Sequence, residues 1–172
     1  MINVYNKVQQ NGLGHLRDVW EDIHKLEPGL PSPDILDTLP PVPVSKGDYS
    51  SIPERRTNEV MNALFPGAGF MKIRPSWLKN PLTGKCMELD CYSKDLSIAV
   101  EYNGVQHYEW PNFTNMSRDD FYKQKARDEL KERLCIKEDV CLIRVPYTTR
   151  LADIGVFLYC KLLESVPPKQ LT

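Results

Sequence analysis

Between Met87 and Tyr108 the chain places one carboxylate in the apolar run Leu89-Asp90-Cys91-Tyr92. A second stands in the run Ile98-Ala99-Val100-Glu101-Tyr102-Asn103, which continues into Gly104-Val105-Gln106-His107. An acid inside a strand is disfavoured by intrinsic preference and by desolvation, so Asp90 and Glu101 need a compensating partner. A divalent cation is the obvious one, and hard oxygen ligands converging on one spot suit Mg²⁺ or Mn²⁺. The polar Ser93-Lys94-Asp95 between the two runs fits a hairpin turn, and adjacent antiparallel strands would bring both carboxylates close together. Alternation along the second strand points Glu101 and Asn103 to one face and Val100 and Tyr102 to the other.

These strands need a scaffold, and 172 residues suffice for one domain of ordinary size plus an extension. A formal net charge of −1 argues against a bulk electrostatic surface for nucleic acid and leaves room for a local basic face. No window is long and apolar enough to span a bilayer, and the first residues lack the basic-then-apolar pattern of a signal peptide. The expectation is a soluble intracellular protein with no membrane partner. The five cysteines, Cys86, Cys91, Cys135, Cys141 and Cys160, form no CxxC pair and read as buried thiols rather than disulfides or a zinc site.

Leu13, Leu16, Val19, Trp20, Ile23 and Leu26 recur at helical spacing, which predicts an amphipathic helix within residues 1–26. It either docks on the main domain or takes a partner, another protein or a second copy of the chain. Residues 27–49 carry Pro28, Pro31, Pro33, Pro40, Pro41 and Pro43 and read as an extended linker. The main domain is expected over 50–172. A helix from Pro53 to Phe65 has Val60, Met61 and Leu64 inward and stops at Pro66-Gly67. A short apolar segment at 70–73, a loop and the acidic hairpin follow. Ser117-Arg118-Asp119-Asp120 starts a charged helix reaching about Cys135, with Phe121, Ala126, Leu130 and Leu134 as its apolar positions. Val140–Val145 reads as a buried strand, and a last helix runs from about Leu151 to Leu163. Helix, hairpin, helix, strand and helix make an α/β sandwich around a mixed sheet.

At these residues the chain resembles the restriction-endonuclease-like (PD-(D/E)xK) superfamily, and more narrowly the very-short-patch-repair-like branch of phage and large DNA virus type. The resemblance covers about residues 50–147. It rests on Glu54-Arg55-Arg56 opening a helix, Arg74-Pro75-Ser76-Trp77-Leu78, Glu88-Leu89-Asp90, and Glu101-Tyr102-Asn103-Gly104-Val105-Gln106-His107-Tyr108. It implies a central mixed sheet flanked by helices and a Mg²⁺-dependent (or Mn²⁺-dependent) endonuclease that hydrolyses DNA phosphodiesters. If the chain is viral, its compartment would be the cytoplasm or nucleus of the host cell. Asp90, Glu101 and the peptide carbonyl of Tyr102 would hold the metal. Glu54 would reach toward its water or a second ion. Gln106 and His107 would bind the scissile phosphate or relay a proton, with a supporting structural role for His107 as the other reading. The departure from the pattern is Asn103, which stands where many relatives carry the catalytic lysine and which can orient water but not neutralise charge.

Lys123, Lys125, Arg127, Lys131, Arg133, Arg144 and Arg150 would form the phosphate-contacting surface, or else a solvated face paired with the acids of the same helix. Lys125 is a candidate replacement for the missing lysine. Tyr108, Trp110 and Phe113 would stack on bases or anchor a loop. Two further readings stand beside the enzyme: a catalytically inactive nuclease-fold module that binds nucleic acid or protein, and an interaction protein built on residues 1–49.

Overall fold

A computed structural model describes residues 32–40 and 51–165. The helix expected over 1–26 and most of the Pro-rich segment lie outside these residues. The chain divides into two compact units, one formed by residues 1–67 with 150–172 and the other by residues 68–149. The domain expected over 50–172 therefore contributes to both.

In the first unit, Pro33–Thr38 forms a 3-10 helix where the proline content predicts an extended linker. Ser32 caps it, its Oγ accepting from the Asp34 N–H at 3.3 Å, and Pro33 presets φ at the first turn, so one proline initiates a helix rather than excluding it. Helix α1 spans Ile52–Leu64 and starts on the Ser51 cap, with Thr57, Val60, Met61 and Leu64 buried. A 3-10 turn at Leu151–Asp153 leads into helix α3 (Ile154–Ser165), the last helix of the chain's described residues. α1 packs on α3, and the Pro33–Thr38 helix touches both. Gly155 permits this closeness: a Cβ there would lie 3.1 Å from Leu36 Cδ2.

The second unit is a four-stranded mixed sheet with one long helix. Strands β1 (Met71–Ile73), β2 (Leu89–Ser93), β3 (Ile98–Asn103) and β4 (Cys141–Pro146) lie in the order β1-β2-β3-β4. β1, β2 and β3 are mutually antiparallel and β4 runs parallel to β3. Helix α2 (Arg118–Lys137) supplies the β3–β4 crossover that a parallel pair requires. The hairpin closes through Ser93, whose Oγ donates to Ala68 O at 2.6 Å and accepts from the Leu96 N–H at 3.3 Å. Leu78, Leu89, Tyr92, Ala99, Cys135 and Val140 form one apolar cluster, joined by Trp77, Met87, Leu134 and Leu142.

Helix α2 does not bury the stripe predicted for it. Ala126 is exposed and Leu130 only half-buried, whereas Gln124 and Cys135 are its buried positions. Apolar matter under its last turns accepts Cys135, but the sheet below its middle carries charge, so polar side chains face inward there.

Burial pushes the thiols up, to about 12 for Cys91, about 11 for Cys135 and about 12 for Cys160, which makes them poor nucleophiles. No helix among the described residues is long and apolar enough to cross a membrane.

Candidate active site

The β2–β3 register pairs Cys91 with Val100 and Tyr92 with Ala99. Continued by one residue, it sets Asp90 opposite Glu101, and directly opposed residues share a face of the sheet. Arg144 of β4 stands opposite Glu101 on the other side. Three charged residues thus form a row across β2, β3 and β4.

Glu101 is 4% exposed, and its Oε1 accepts from Lys131 Nζ of α2. The same ammonium donates to the main-chain oxygen of Glu88 at 2.8 Å. Asp90 is paired with Lys72 of β1, Nζ to Oδ1 3.7 Å, and Lys72 also approaches Glu88 Oε1 at 3.4 Å. Arg74 Nε reaches Glu88 Oε2 at 3.1 Å. Four carboxylate or carbonyl partners are therefore balanced by three cations on one side of the hairpin.

Burial pushes the Glu88 carboxyl up, but the hydrogen bond from Arg74 and the charge of Lys72 outweigh it and hold the group below its ordinary 4.5. A depressed carboxylate contributes stability above the unfolded-state value that is lost as pH falls through the folded value. Acid titration of the urea midpoint should fall more steeply below about pH 4.5 in the wild type than in Glu88→Gln. Equal slopes would remove Glu88 from the acid sensitivity.

Asn103 is buried on the same face as Glu101. Its side chain is engaged by Tyr108: burial pushes that phenol up, and the hydrogen bond to Asn103 with the charge of Arg144 offsets part of the rise. The ammonium at the acids therefore comes from Lys131. Lys125 lies instead 5.6 Å from the Tyr108 ring centre and 5.5 Å from that of Phe121.

After β3, Val105–His107 turns as a 3-10 helix. His107 Nδ1 stands 2.8 Å from Asp128 Oδ2, and Gln124 Nε2 donates to His107 Nε2 at 2.9 Å. Arg144 donates to the main-chain oxygen of Asp128 at 2.6 Å and to Glu132 Oε2 at 2.9 Å, holding α2 onto β4. The Gln106 amide folds back over Gly104, where a Cβ would meet its Oε1 at 2.4 Å and its Nε2 at 2.8 Å. The atoms in the way are the far end of a flexible side chain. Gly104→Ala should therefore cost under about 1 kcal/mol in urea unfolding yet displace Gln106, so that any loss of function matches that of Gln106→Ala. A function retained in Gly104→Ala and lost in Gln106→Ala would break this link.

Among the expected site residues, Asp90, Glu101 and Asn103 share one sheet face, with Gln106 and His107 on the turn that follows β3. Tyr102 points its side chain to the opposite face. Glu54 lies in the first turn of α1, in the first unit, its N–H donating to Ser51 Oγ at 3.3 Å. Of the residues read as a phosphate surface, Lys131 and Arg144 are engaged with Glu101, Asp128 and Glu132, while Arg127 is exposed. Arg118 lies 5.9 Å from the Trp110 ring centre and 5.6 Å from that of Tyr122. Reasoning from sequence gave no place in the site to Lys72, Gln124 and Asp128, and quoted Glu88 only as part of the Glu88-Leu89-Asp90 motif. One signal was present: Gln124, Asp128, Lys131 and Cys135 are spaced four, three and four residues apart, a single helical face.

Comparison with known proteins finds viral relatives. The chain is 47% identical over 93 residues to "Uncharacterized protein 033L" of Invertebrate iridescent virus 3, covering 54% of this chain and 48% of that protein. It is 48% identical over 98 residues to "Uncharacterized protein 307L" of Invertebrate iridescent virus 6, covering 54% and 49%. It is 48% identical over 93 residues to "Uncharacterized protein 094L" of Frog virus 3 (isolate Goorha), covering 54% and 59%. The chain thus spans about half the length of the curated relatives it matches. No family model and no solved structure matches it.

Proposed function

We propose that the chain is a metal-dependent endonuclease of restriction-endonuclease-like fold that hydrolyses DNA phosphodiesters. The observation carrying this reading is the row across the sheet: Asp90 opposite Glu101 on one face, with the Lys131 ammonium on Glu101 and on the Glu88 carbonyl.

That donor set suits Mg²⁺ or Mn²⁺. No group of three or more His, Cys, Asp and Glu is gathered among the described residues, which disfavours a closed protein cage of the zinc kind. Mg²⁺ is commonly held by one or two carboxylates and keeps several waters, and Asp90 with Glu101 supplies such a pair. Lys131 already occupies one oxygen of Glu101, so a metal at this pair would share the carboxylate with the ammonium or displace it. When bound, the metal would supply an activated water and neutralise charge developing on the phosphoryl group.

The chain's own residues divide the remaining work. Lys131 places a fixed ammonium beside the acids and takes the charge-neutralising part that Asn103 cannot. Gln106 makes no hydrogen bond among the described residues, so its amide can meet a phosphate oxygen. Lys125 and Arg118, each on aromatic faces and without a carboxylate partner among the described residues, offer cationic and stacking contacts to DNA at Tyr108 and Trp110.

The test is cleavage of labelled single-stranded, duplex and branched DNA with Mg²⁺ or Mn²⁺, comparing wild type with Asp90→Ala and Glu101→Ala. Metal-dependent cutting lost in both variants supports the enzyme. A folded wild type that binds DNA without metal and never cuts would leave a nucleic-acid-binding module.

A further inference from the structure

We propose that Asp128 and Gln124 are positioning residues that clamp His107 from both sides. The imidazole then acts as the pin holding the Val105–His107 turn on α2 rather than as a proton relay. The proposal sets His107 aside as an acid–base group and leaves Gln106 as the substrate-facing member of the pair.

The hydrogen-bond roles follow from what each group can do. A carboxylate only accepts, so His107 Nδ1, 2.8 Å from Asp128 Oδ2, carries the proton and donates it. The Gln124 NH₂ only donates, so His107 Nε2, 2.9 Å away, presents its lone pair. Both assignments require the same tautomer, with the proton on Nδ1. Turning the Gln124 amide would not relieve the site: Oε1 is now the buried atom without a partner, and the turned amide would bury NH₂ donors in its place.

Both ring nitrogens are thus occupied by α2, which leaves neither to exchange a proton with a substrate. Gln124 is 8% exposed, and Asp128 is fixed in turn through its main-chain oxygen by Arg144. The clamp is therefore rigid on the side away from the turn. What it positions is the residue before His107. Gln106 lies over Gly104, immediately after the last residue of β3, and its amide is without a hydrogen bond among the described residues. A ring free to rotate would let this turn, and Gln106 with it, leave the end of β3.

The first arm of the test is independent of catalysis. Long-range ¹⁵N–¹H correlation spectra of the full chain, recorded at about pH 8.5, above the ordinary imidazole range, read the tautomer of each of the three histidine rings. His107, assigned by its loss in His107→Asn, should show the proton fixed on Nδ1 in the wild type. Asp128→Asn should move it toward a mixture. A wild-type ring protonated on Nε2, or averaged between tautomers, overturns the clamp.

The second arm rests on the nuclease reading. Gln124→Leu keeps the buried shape and removes the amide, and should lower kcat by about tenfold with the pH profile of kcat unchanged in form. Should His107→Asn abolish one limb of that profile, His107 is the acid–base group and the proposal is wrong. If the wild type does not cut DNA at all, the nuclease reading falls, and the tautomer alone then decides the clamp.

Discussion

Lys131→Met should lower the unfolding free energy by about 3–5 kcal/mol, because it strands a buried carboxylate. Glu101 is 6% exposed along its side chain and Lys131 16%, so water cannot substitute for the lost ammonium. The Glu88 main-chain oxygen loses its donor in the same step. Two consequences separate this from ordinary core damage. The double variant Glu101→Gln/Lys131→Met should be closer to wild type than the sum of the single variants, since no unpaired charge remains. Mg²⁺ should raise the urea midpoint of Lys131→Met more than that of the wild type, because the metal no longer competes with an ammonium for Glu101. Tighter Mg²⁺ binding together with lost cleavage would assign Lys131 to charge neutralisation in the reaction. A variant as stable as the wild type would show that Glu101 does not depend on this partner, and one indifferent to Mg²⁺ would show that Glu101 holds no metal.

Asp90→Asn should do the reverse, leaving the fold nearly intact while reducing the metal-dependent cleavage proposed for this chain by about 10²–10³-fold. Its partner Lys72 is 39% exposed and 3.7 Å away, and pairs of that kind contribute less than about 1 kcal/mol. With Glu101 it makes the pair of carboxylates proposed to hold a divalent ion, so its loss halves the charge that this pair offers. Parallel measurement of unfolding, Mg²⁺ titration and cleavage decides the matter. Cleavage that persists in a well-folded Asp90→Asn protein would place the metal elsewhere and leave the hairpin acids as structural partners of Lys72 and Lys131.

These contrasting outcomes arise from how each acid is satisfied, and the two kinds of information are unequally legible in the chain. The apolar runs Leu89–Tyr92 and Ile98–Val100, with Ser93-Lys94-Asp95 between them, made the hairpin and the nearness of Asp90 and Glu101 legible, because a turn between two strand-like runs is a local signal, whereas the register that sets the two acids opposite each other is read from the sheet. The cap at Ser117 likewise marked a helix start, since the side chain that satisfies the orphan N–H groups lies within three residues, while for α1 the structure chose Ser51 as the cap. Pro33 was ambiguous: proline suits both an extended segment and a helical first turn, and packing against α1 and α3 chose the latter.

Only the tertiary structure decided who neutralises Glu101. Lys131 lies thirty positions further on, and α2 offers several cations whose local surroundings look alike; which one faces the sheet depends on the rotation of the helix about its axis. That rotation is set by Cys135 against the apolar cluster and by Arg144 gripping Asp128 and Glu132, contacts between segments remote in sequence. The same rotation turns Gln124 and Asp128 onto His107 and leaves Lys125 beside Tyr108. Residue types and their alternation set which groups are available for chemistry, and the docking of one helix set which of them meet.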